Sequence, residues 1–147
     1  SQWRAWFNSV SVFSDAVPLA PVIGNHEAYN MEWKEYLPAS YTHLFNVPQN
    51  GLAKYPNQFY SFDYGPVHFV VLDTNFPEME NFQPDLLADE LSWLEKDLAA
   101  SKAQWKVVLM HRDIFLYGFG PESGRAQSKT QFLDFSYRLK NTRLTQY

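Results

Sequence analysis

The stretch Pro21-Val22-Ile23-Gly24-Asn25-His26-Glu27 decides how the rest of this chain is interpreted. A short apolar run ends in a glycine, and three polar side chains follow at once. In open α/β sheets, ligands bind beyond the carboxyl ends of the strands. The pattern therefore predicts a strand over Ala20–Ile23, kept short by Pro18 and Pro21, with a polar cluster at its end.

The composition is that of an ordinary globular protein. The chain has 147 residues and a formal net charge of -4, and 46% of its residues are hydrophobic. It shows neither the basic patch of a nucleic-acid-binding protein nor an apolar run of the ~18 residues that a membrane span needs. It contains no cysteine, which excludes disulfides and thiolate metal sites. We therefore expect neither nucleic acid nor a membrane as a partner.

On either side of the opening stretch, apolar spacing predicts helices. Trp and Phe residues recur at helical intervals over about Gln2–Phe13. After Glu27 the chain is rich in tyrosine and proline, and shorter helices are predicted around Met31–Tyr36 and Ser40–Phe45.

Two aromatic and β-branched runs, Gln58–Tyr64 and Val67–Thr74, flank Gly65-Pro66 and predict a pair of adjacent strands. The second run is nearly all apolar, which is typical of a strand covered on both faces. A loop is predicted over Asn75–Pro84. Together with the elements on either side, these runs indicate an α/β layered domain.

A leucine-rich helix and a further strand follow. Asp85 is a plausible N-cap for a helix that ends near Ser101. The apolar run Lys106–Met110 predicts a strand that ends at His111. If this strand lies parallel to Ala20–Ile23 in one sheet, His26 and His111 converge at the same edge. A last helix is predicted along Phe132, Phe135 and Leu139, opened by a capping box of Ser128 and Gln131.

The residue types alone leave the role of each histidine open. Asn25 and His26 fit either a site for a metal or phosphoryl group or an ordinary turn. His111 fits either a ligand or a hydrogen-bonded strand end. His68, inside a strand, is best read as a satisfied core histidine, and His43 as a helix-surface residue.

The zinc-protease pattern H-E-x-x-H is excluded. His26 and Glu27 begin it, but Asn30 stands where the second histidine is required.

Several segments of the sequence resemble, in the same order, the motifs of one known family. Gly24-Asn25-His26-Glu27 resembles the G-N-H-[DE] block of the calcineurin-like metallophosphoesterases, most closely the purple acid phosphatase-like branch. The other similar segments are the helix at Trp3–Phe13, the strand pair at 59–74 that ends in L-D-T, the helix at Leu91–Leu98 and the strand at Val107–His111.

The resemblance implies a layered β-sandwich flanked by helices, incomplete here, and a phosphoesterase with two metal ions of Fe, Zn or Mn. In this scheme Asn25 and His111 bind one metal. His26 is catalytic, because it stabilises the transferring phosphoryl group or protonates the leaving group. Glu27 orients His26 or its loop, and Arg125 helps to bind the phosphate-ester substrate.

The departures from the family pattern set limits on this expectation. The ligand blocks D-x-H and G-D are absent before Gly24, and no G-H-x-H follows His111. Residues 1–147 are therefore expected to form a partial domain, truncated at both ends, that binds one metal weakly or none and is weak or inactive alone. Exposed sheet edges favour a homo-oligomer, and an extracellular or periplasmic location is favoured by the resemblance. The alternative is a non-catalytic binding or structural module derived from the same fold.

Overall fold

The computed structural model describes residues 2–112, so Arg125 and the predicted C-terminal helix lie outside the described residues. One sheet and several helices confirm the mixed α/β class. The helices are α1 (Gln2–Ser14), α2 (Ala39–Leu44), α3 (Phe76–Met79) and α4 (Leu86–Ala100), with a 3₁₀ helix at Asn25–Ala28, and the strands are β1 (Tyr60–Tyr64), β2 (Val67–Val71) and β3 (Trp105–Leu109). Within residues 2–112, none of these helices has the length and hydropathy that crossing a bilayer requires.

The sheet has three strands in the order β1-β2-β3. The strands β1 and β2 form the predicted antiparallel hairpin, with Phe62 opposite Phe69. Its two-residue turn places Gly65 at φ +57°, a left-handed conformation that glycine adopts without the strain a Cβ would bring. The strand β3 pairs in parallel with β2, so the carboxyl ends of these two strands meet at one edge of the sheet.

The helix α4 covers one face of the sheet. Leu91, Leu94 and Leu98 recur at helical spacing and pack in one cluster with Val70 and Leu72. Burial of each such side chain stabilises the fold by roughly 1.5–3 kcal/mol. The parallel connection from β2 to β3 therefore takes the form of a helix packed on the sheet, as βαβ geometry requires.

The opposite face of the sheet is covered by the N-terminal part of the chain. Val71 and Tyr60 pack there with Ile23, Tyr41 and Phe45. The helix α1 closes this side with partly buried aromatic side chains, Trp3 and Phe7. The prediction that the second strand of the hairpin is covered on both faces is therefore confirmed.

The predicted strand at Ala20–Ile23 is wrong. The segment is not paired in the sheet, although Ile23 is buried. The carbonyl oxygen of Pro21 accepts hydrogen bonds from the hydroxyls of Tyr41 (3.0 Å) and Tyr60 (2.9 Å). Side chains thus satisfy a carbonyl oxygen that would otherwise bond to a neighbouring β-strand. Proline also has no N–H to donate to such a strand.

Other local predictions also need correction. Met31–Tyr36 is not a helix but a tight loop, closed by an isolated bridge between Tyr29 and Glu35. The loop predicted at Asn75–Pro84 contains the helix α3. Asp85 precedes α4 as expected, but its side chain makes no capping hydrogen bond.

Candidate metal and phosphoryl site

The polar stretch after Ile23 folds into a closed 3₁₀ turn. The N–H of Gly24 donates to Glu27 Oε2 (2.8 Å), and the N–H of Glu27 donates to the carbonyl oxygen of Gly24 (3.3 Å). The carboxylate therefore binds backbone inside its own turn. This contact fixes the backbone that carries Asn25 and His26 at the edge of the sheet.

Asn25 and His111 meet at this edge. His111 follows β3, and its Nε2 lies 3.0 Å from Asn25 Oδ1. A Cβ on Gly24 would lie 3.3 Å from two carbons of the His111 ring and 2.8 Å from Glu27 Oε2. Glycine is therefore the residue that lets the imidazole approach the turn this closely.

The two donor atoms suit a metal ion in chemistry and spacing. Amide oxygen and imidazole nitrogen are ligands of Fe, Zn and Mn. Two donors that each lie ~2.1 Å from one cation at right angles stand about 3 Å apart, close to the 3.0 Å between Asn25 and His111. Among residues 2–112, however, no group of three or more His, Cys, Asp or Glu side chains is arranged to hold a metal. This part of the chain thus supplies two donors and not a full ligand set.

The proton on His111 follows from the same contact. Asn25 Oδ1 is a carbonyl-type oxygen that only accepts hydrogen bonds, so the Nε2 of His111 carries the proton when the two meet. A metal ligand must present a lone pair at that nitrogen, so metal binding through Nε2 requires the other tautomer, in which Nδ1 carries the proton.

His26 lies beside this pair but faces aromatic side chains. Its exposed ring packs edge-on against Trp33 (5.3 Å between centroids, 87°) and Tyr29 (5.8 Å, 78°). No hydrogen bond to either ring nitrogen is found within the described part of the chain. The imidazole is therefore positioned by packing against these two rings.

Two surface clefts of about 770 and 800 Å³ share the ridge formed by His26, Tyr29 and Trp33. The first, here called the Asn25 cleft, is completed by Asn25, Lys34 and Phe82 among others. The second, the aromatic cleft, is completed by Trp3, Trp6 and Met31 among others. The candidate catalytic histidine thus lines both clefts.

A buried carboxylate behind the site joins its two halves. Glu78 Oε1, on α3, accepts a hydrogen bond from the hydroxyl of Tyr29 (3.2 Å) and pairs with the guanidinium of Arg112. Burial, followed by the charge on Glu78, raises the pKa of the Tyr29 hydroxyl. This set was not predicted from the sequence, although Arg112 stands directly after His111.

The L-D-T-N segment after β2 forms a second buried support. Asn75 Nδ2 donates to Asp73 Oδ1 (2.8 Å) and to the carbonyl oxygen of Ile23 (3.2 Å), which holds the opening stretch against the sheet. The N–H of Asp73 donates to Glu90 Oε1 (2.8 Å). Burial raises the pKa of Asp73 to about 7 and the pKa of Glu90 well above its usual range.

The remaining histidines lie away from this site. His68 is buried, and its ring nitrogens contact Asp63 (2.6 Å) and Asp97 (2.7 Å). The hydroxyl of Ser61 donates to Asp97 and not to His68, so these residues do not form a catalytic triad. His43 is exposed on α2. Both are therefore structural or surface histidines, as predicted.

Comparisons with known proteins identify the family. The sequence model of the family described as calcineurin-like phosphoesterase matches residues 1–140. Purple acid phosphatase 23 of Arabidopsis thaliana is 31% identical over 117 residues, which cover 75% of this chain and 23% of that protein. Purple acid phosphatase 15 of the same plant is 29% identical over 113 residues, covering 75% of this chain and 20% of that protein.

A further relative from Arabidopsis thaliana is named as a probable inactive purple acid phosphatase 9. It is 28% identical over 139 residues, which cover 77% of this chain and 20% of that protein. The chain spans about a fifth of the length of these three relatives.

Proposed function

Because the chain belongs to the calcineurin-like phosphoesterase family, we propose that the protein hydrolyses phosphate esters at a dinuclear metal centre. The observation that carries the proposal is the approach of Asn25 Oδ1 to His111 Nε2, 3.0 Å apart although 86 positions separate them in sequence. Asn25 and His111 would bind the same ion of the two. When bound, the metals (Fe, Zn or Mn) supply charge neutralisation and an activated water.

Each residue of the turn then has a separate task. Glu27 holds the turn closed through the N–H of Gly24. His26 presents an imidazole on the exposed rim, where it donates a proton to the leaving oxygen or a hydrogen bond to the phosphoryl group. Arg125 is proposed as an anion-binding group on the basis of its charge and its glycine-rich surroundings in the sequence.

These residues alone are expected to give weak activity or none. Two ligands leave most of the coordination shell of a metal to other donors. Within residues 2–112 no group of three or more His, Cys, Asp or Glu side chains is arranged to hold a metal, and the sequence lacks the D-x-H, G-D and G-H-x-H blocks. We expect this chain to bind one metal weakly or none.

Metal binding by variants of this chain tests the proposal directly. Isothermal titration with Zn²⁺ is expected to show weak binding that His111→Ala abolishes and His26→Ala retains. His43→Ala is the matched control, because His43 is an exposed histidine on α2. The assigned roles would be contradicted if the His26 and His111 variants lost Zn²⁺ binding equally, or if neither variant lost it.

Hydrolysis of 4-nitrophenyl phosphate is the second measurement. Where turnover is detectable, His26→Ala should lower it by about 10²–10⁴-fold with metal retained, the range typical of a lost general acid. Fast turnover by the chain, with two tightly bound metals, would overturn the expectation of a weak or inactive chain.

The second candidate function is a non-catalytic binding or structural module. One observation favours it: among the relatives is a protein named as probably inactive, at 28% identity over 139 residues. In this case the Asn25–His111 contact would serve as an ordinary hydrogen bond. The zinc titration separates the two candidates, because a structural contact predicts no difference between the His111 and His43 variants.

A further inference from the structure

The loop after Tyr29 is built to hold one tryptophan in a strained position. Asn30 Oδ1 accepts hydrogen bonds from the N–H groups of Glu32 (2.9 Å) and Lys34 (3.0 Å), and the N–H of Asn30 donates to the carbonyl oxygen of Lys34 (2.9 Å). Trp33 sits inside this clamp at φ +59°. A bulky side chain in the left-handed region is unfavourable and persists only where the surroundings impose it.

Burial does not explain why Trp33 is held there. Its side chain is 71% exposed. Its ring meets the edge of His26 at 5.3 Å and lies 6.3 Å from the ring of Tyr29. The strain therefore serves to place an exposed aromatic surface beside the candidate catalytic imidazole.

The two clefts on either side of this ridge differ in chemistry. The Asn25 cleft contains the proposed metal ligand Asn25 and the cation of Lys34. The aromatic cleft contains Trp3, Trp6 and Met31, and its volume of about 800 Å³ is that of a small-molecule site. Among the residues of 2–112 that line the aromatic cleft there is no lysine or arginine.

We propose that the aromatic cleft receives the organic group of the ester, and that this group is planar, aromatic and free of further phosphates. The inference rests on the proposed function, which puts the phosphoryl group on the Asn25 side. A leaving group protonated by His26 must then lie across the ridge, against Trp33. Flat rings stack well on tryptophan, whereas a pyrophosphate or polyphosphate would meet no cation in this cleft.

Two phosphonates that resist hydrolysis isolate the contribution of the ring. Phenylphosphonate and methylphosphonate share the same anionic head, so the ratio of their dissociation constants, measured by isothermal titration with Zn²⁺ present, reports the aryl contact. We expect phenylphosphonate to bind about 3- to 10-fold more tightly, the range of an aromatic stacking contact. In Trp33→Ala, which lacks the stacking ring, the two dissociation constants should become nearly equal. Trp33→Phe should keep most of the preference for phenylphosphonate.

Tyr64→Ala is the matched control, because Tyr64 is an aromatic residue of similar exposure, 77%, outside both clefts. It should leave the ratio unchanged. Trp33→Gly removes the ring and relieves the strained backbone, so it provides a second variant if Trp33→Ala folds poorly.

A ratio that stays the same in the Trp33→Ala and Trp33→Gly variants would overturn the inference, and so would the absence of any phosphonate binding. Failure of the proposed function has a different signature, namely Zn²⁺ binding that His111→Ala does not change. A ring preference that depends on Trp33 in a chain with no such zinc dependence would support the aromatic cleft and count against the metal centre.

Discussion

Arg112 pairs with Glu78, a carboxylate that is only 2% exposed, directly behind the candidate site. The same oxygen accepts a hydrogen bond from the hydroxyl of Tyr29. Arg112 follows His111 in the chain, whereas Tyr29 follows the turn that carries Asn25. Glu78 therefore connects the two segments whose side chains meet at 3.0 Å in the site.

Replacing Glu78 with glutamine should destabilise the fold. The amide removes the negative charge that faces the guanidinium of Arg112, and breaking one side of a buried pair costs about 3–5 kcal/mol. We expect a loss of about 2–4 kcal/mol in urea unfolding, since Arg112 is partly exposed. Glu80→Gln, at an exposed position two residues on, is the control and should change stability by no more than about 0.5 kcal/mol. An equal change of stability in the Glu78 and Glu80 variants would show that the pair of Glu78 with Arg112 does not stabilise the fold.

A methyl group on Gly24 should disturb His111 without unfolding the chain. The added Cβ would meet the flexible end of Glu27 at 2.8 Å and the His111 ring at 3.3 Å. Gly24→Ala is therefore expected to shift the His111 ring resonances in NMR spectra and to weaken Zn²⁺ binding by about 10-fold, the low end for changes beside a metal ligand.

The control for this variant is Gly65→Ala. A Cβ there meets nothing within 4 Å, but its φ of +57° makes the substitution strained. It should lower stability by about 1 kcal/mol and leave Zn²⁺ affinity unaltered. Unchanged His111 resonances in Gly24→Ala would contradict the close approach of the imidazole.

The elements that local periodicity describes were predictable from sequence. The leucine spacing of α4 and the apolar run of β2 each reflect burial against a neighbouring layer, so their patterns survive in the sequence. Val70 and Val71 point to opposite core clusters, as a strand covered on both faces requires. The apolar runs alone predicted that His26 and His111 would converge, and only the family resemblance paired Asn25 with His111. In the structure Asn25 contacts His111, whereas the ring of His26 packs against Trp33.

The rest depended on contacts between distant residues. Ala20–Ile23 looks like a strand, but the hydrogen bonds that occupy its carbonyl oxygens come from side chains such as Tyr41 and Tyr60. A short helix was predicted around Met31–Tyr36, whereas the amide of Asn30 closes a loop instead. Local propensity carries no information about either kind of partner.

His68 should make stability fall as the pH rises above the ordinary histidine pKa of about 6.5. Burial lowers its pKa, but the hydrogen bonds to Asp97 and Asp63 outweigh burial and raise the pKa above its ordinary value. The folded state therefore favours the protonated ring. This contribution is complete below the unfolded pKa of about 6.5 and is lost as the pH rises through the higher folded value.

Urea unfolding across this pH range tests the role of His68. Because Asp73, with a pKa of about 7, also titrates near this range, His68→Gln should reduce but not abolish the decline in stability that the wild type shows above about pH 6.5. His43→Gln, an exchange at an exposed histidine on α2, should retain it. A wild-type profile that stays flat across this range would contradict a charged His68 in the folded state.

Asp73 should lower the stability of the fold as the pH rises from acid to neutral. Its pKa in the folded state is about 7, raised from 3.8 by burial. Between these values the folded state holds a proton that the unfolded chain has lost, so stability falls with rising pH, by up to about 4 kcal/mol in total. Asp73→Asn keeps the oxygen that accepts two hydrogen bonds from Asn75 and abolishes the titration. We therefore expect this variant to be more stable than the wild type in urea unfolding at about pH 8. The control Asp15→Asn, at an exposed position, should behave like the wild type. If Asp73→Asn is less stable than the wild type at that pH, the fold requires the charged carboxylate.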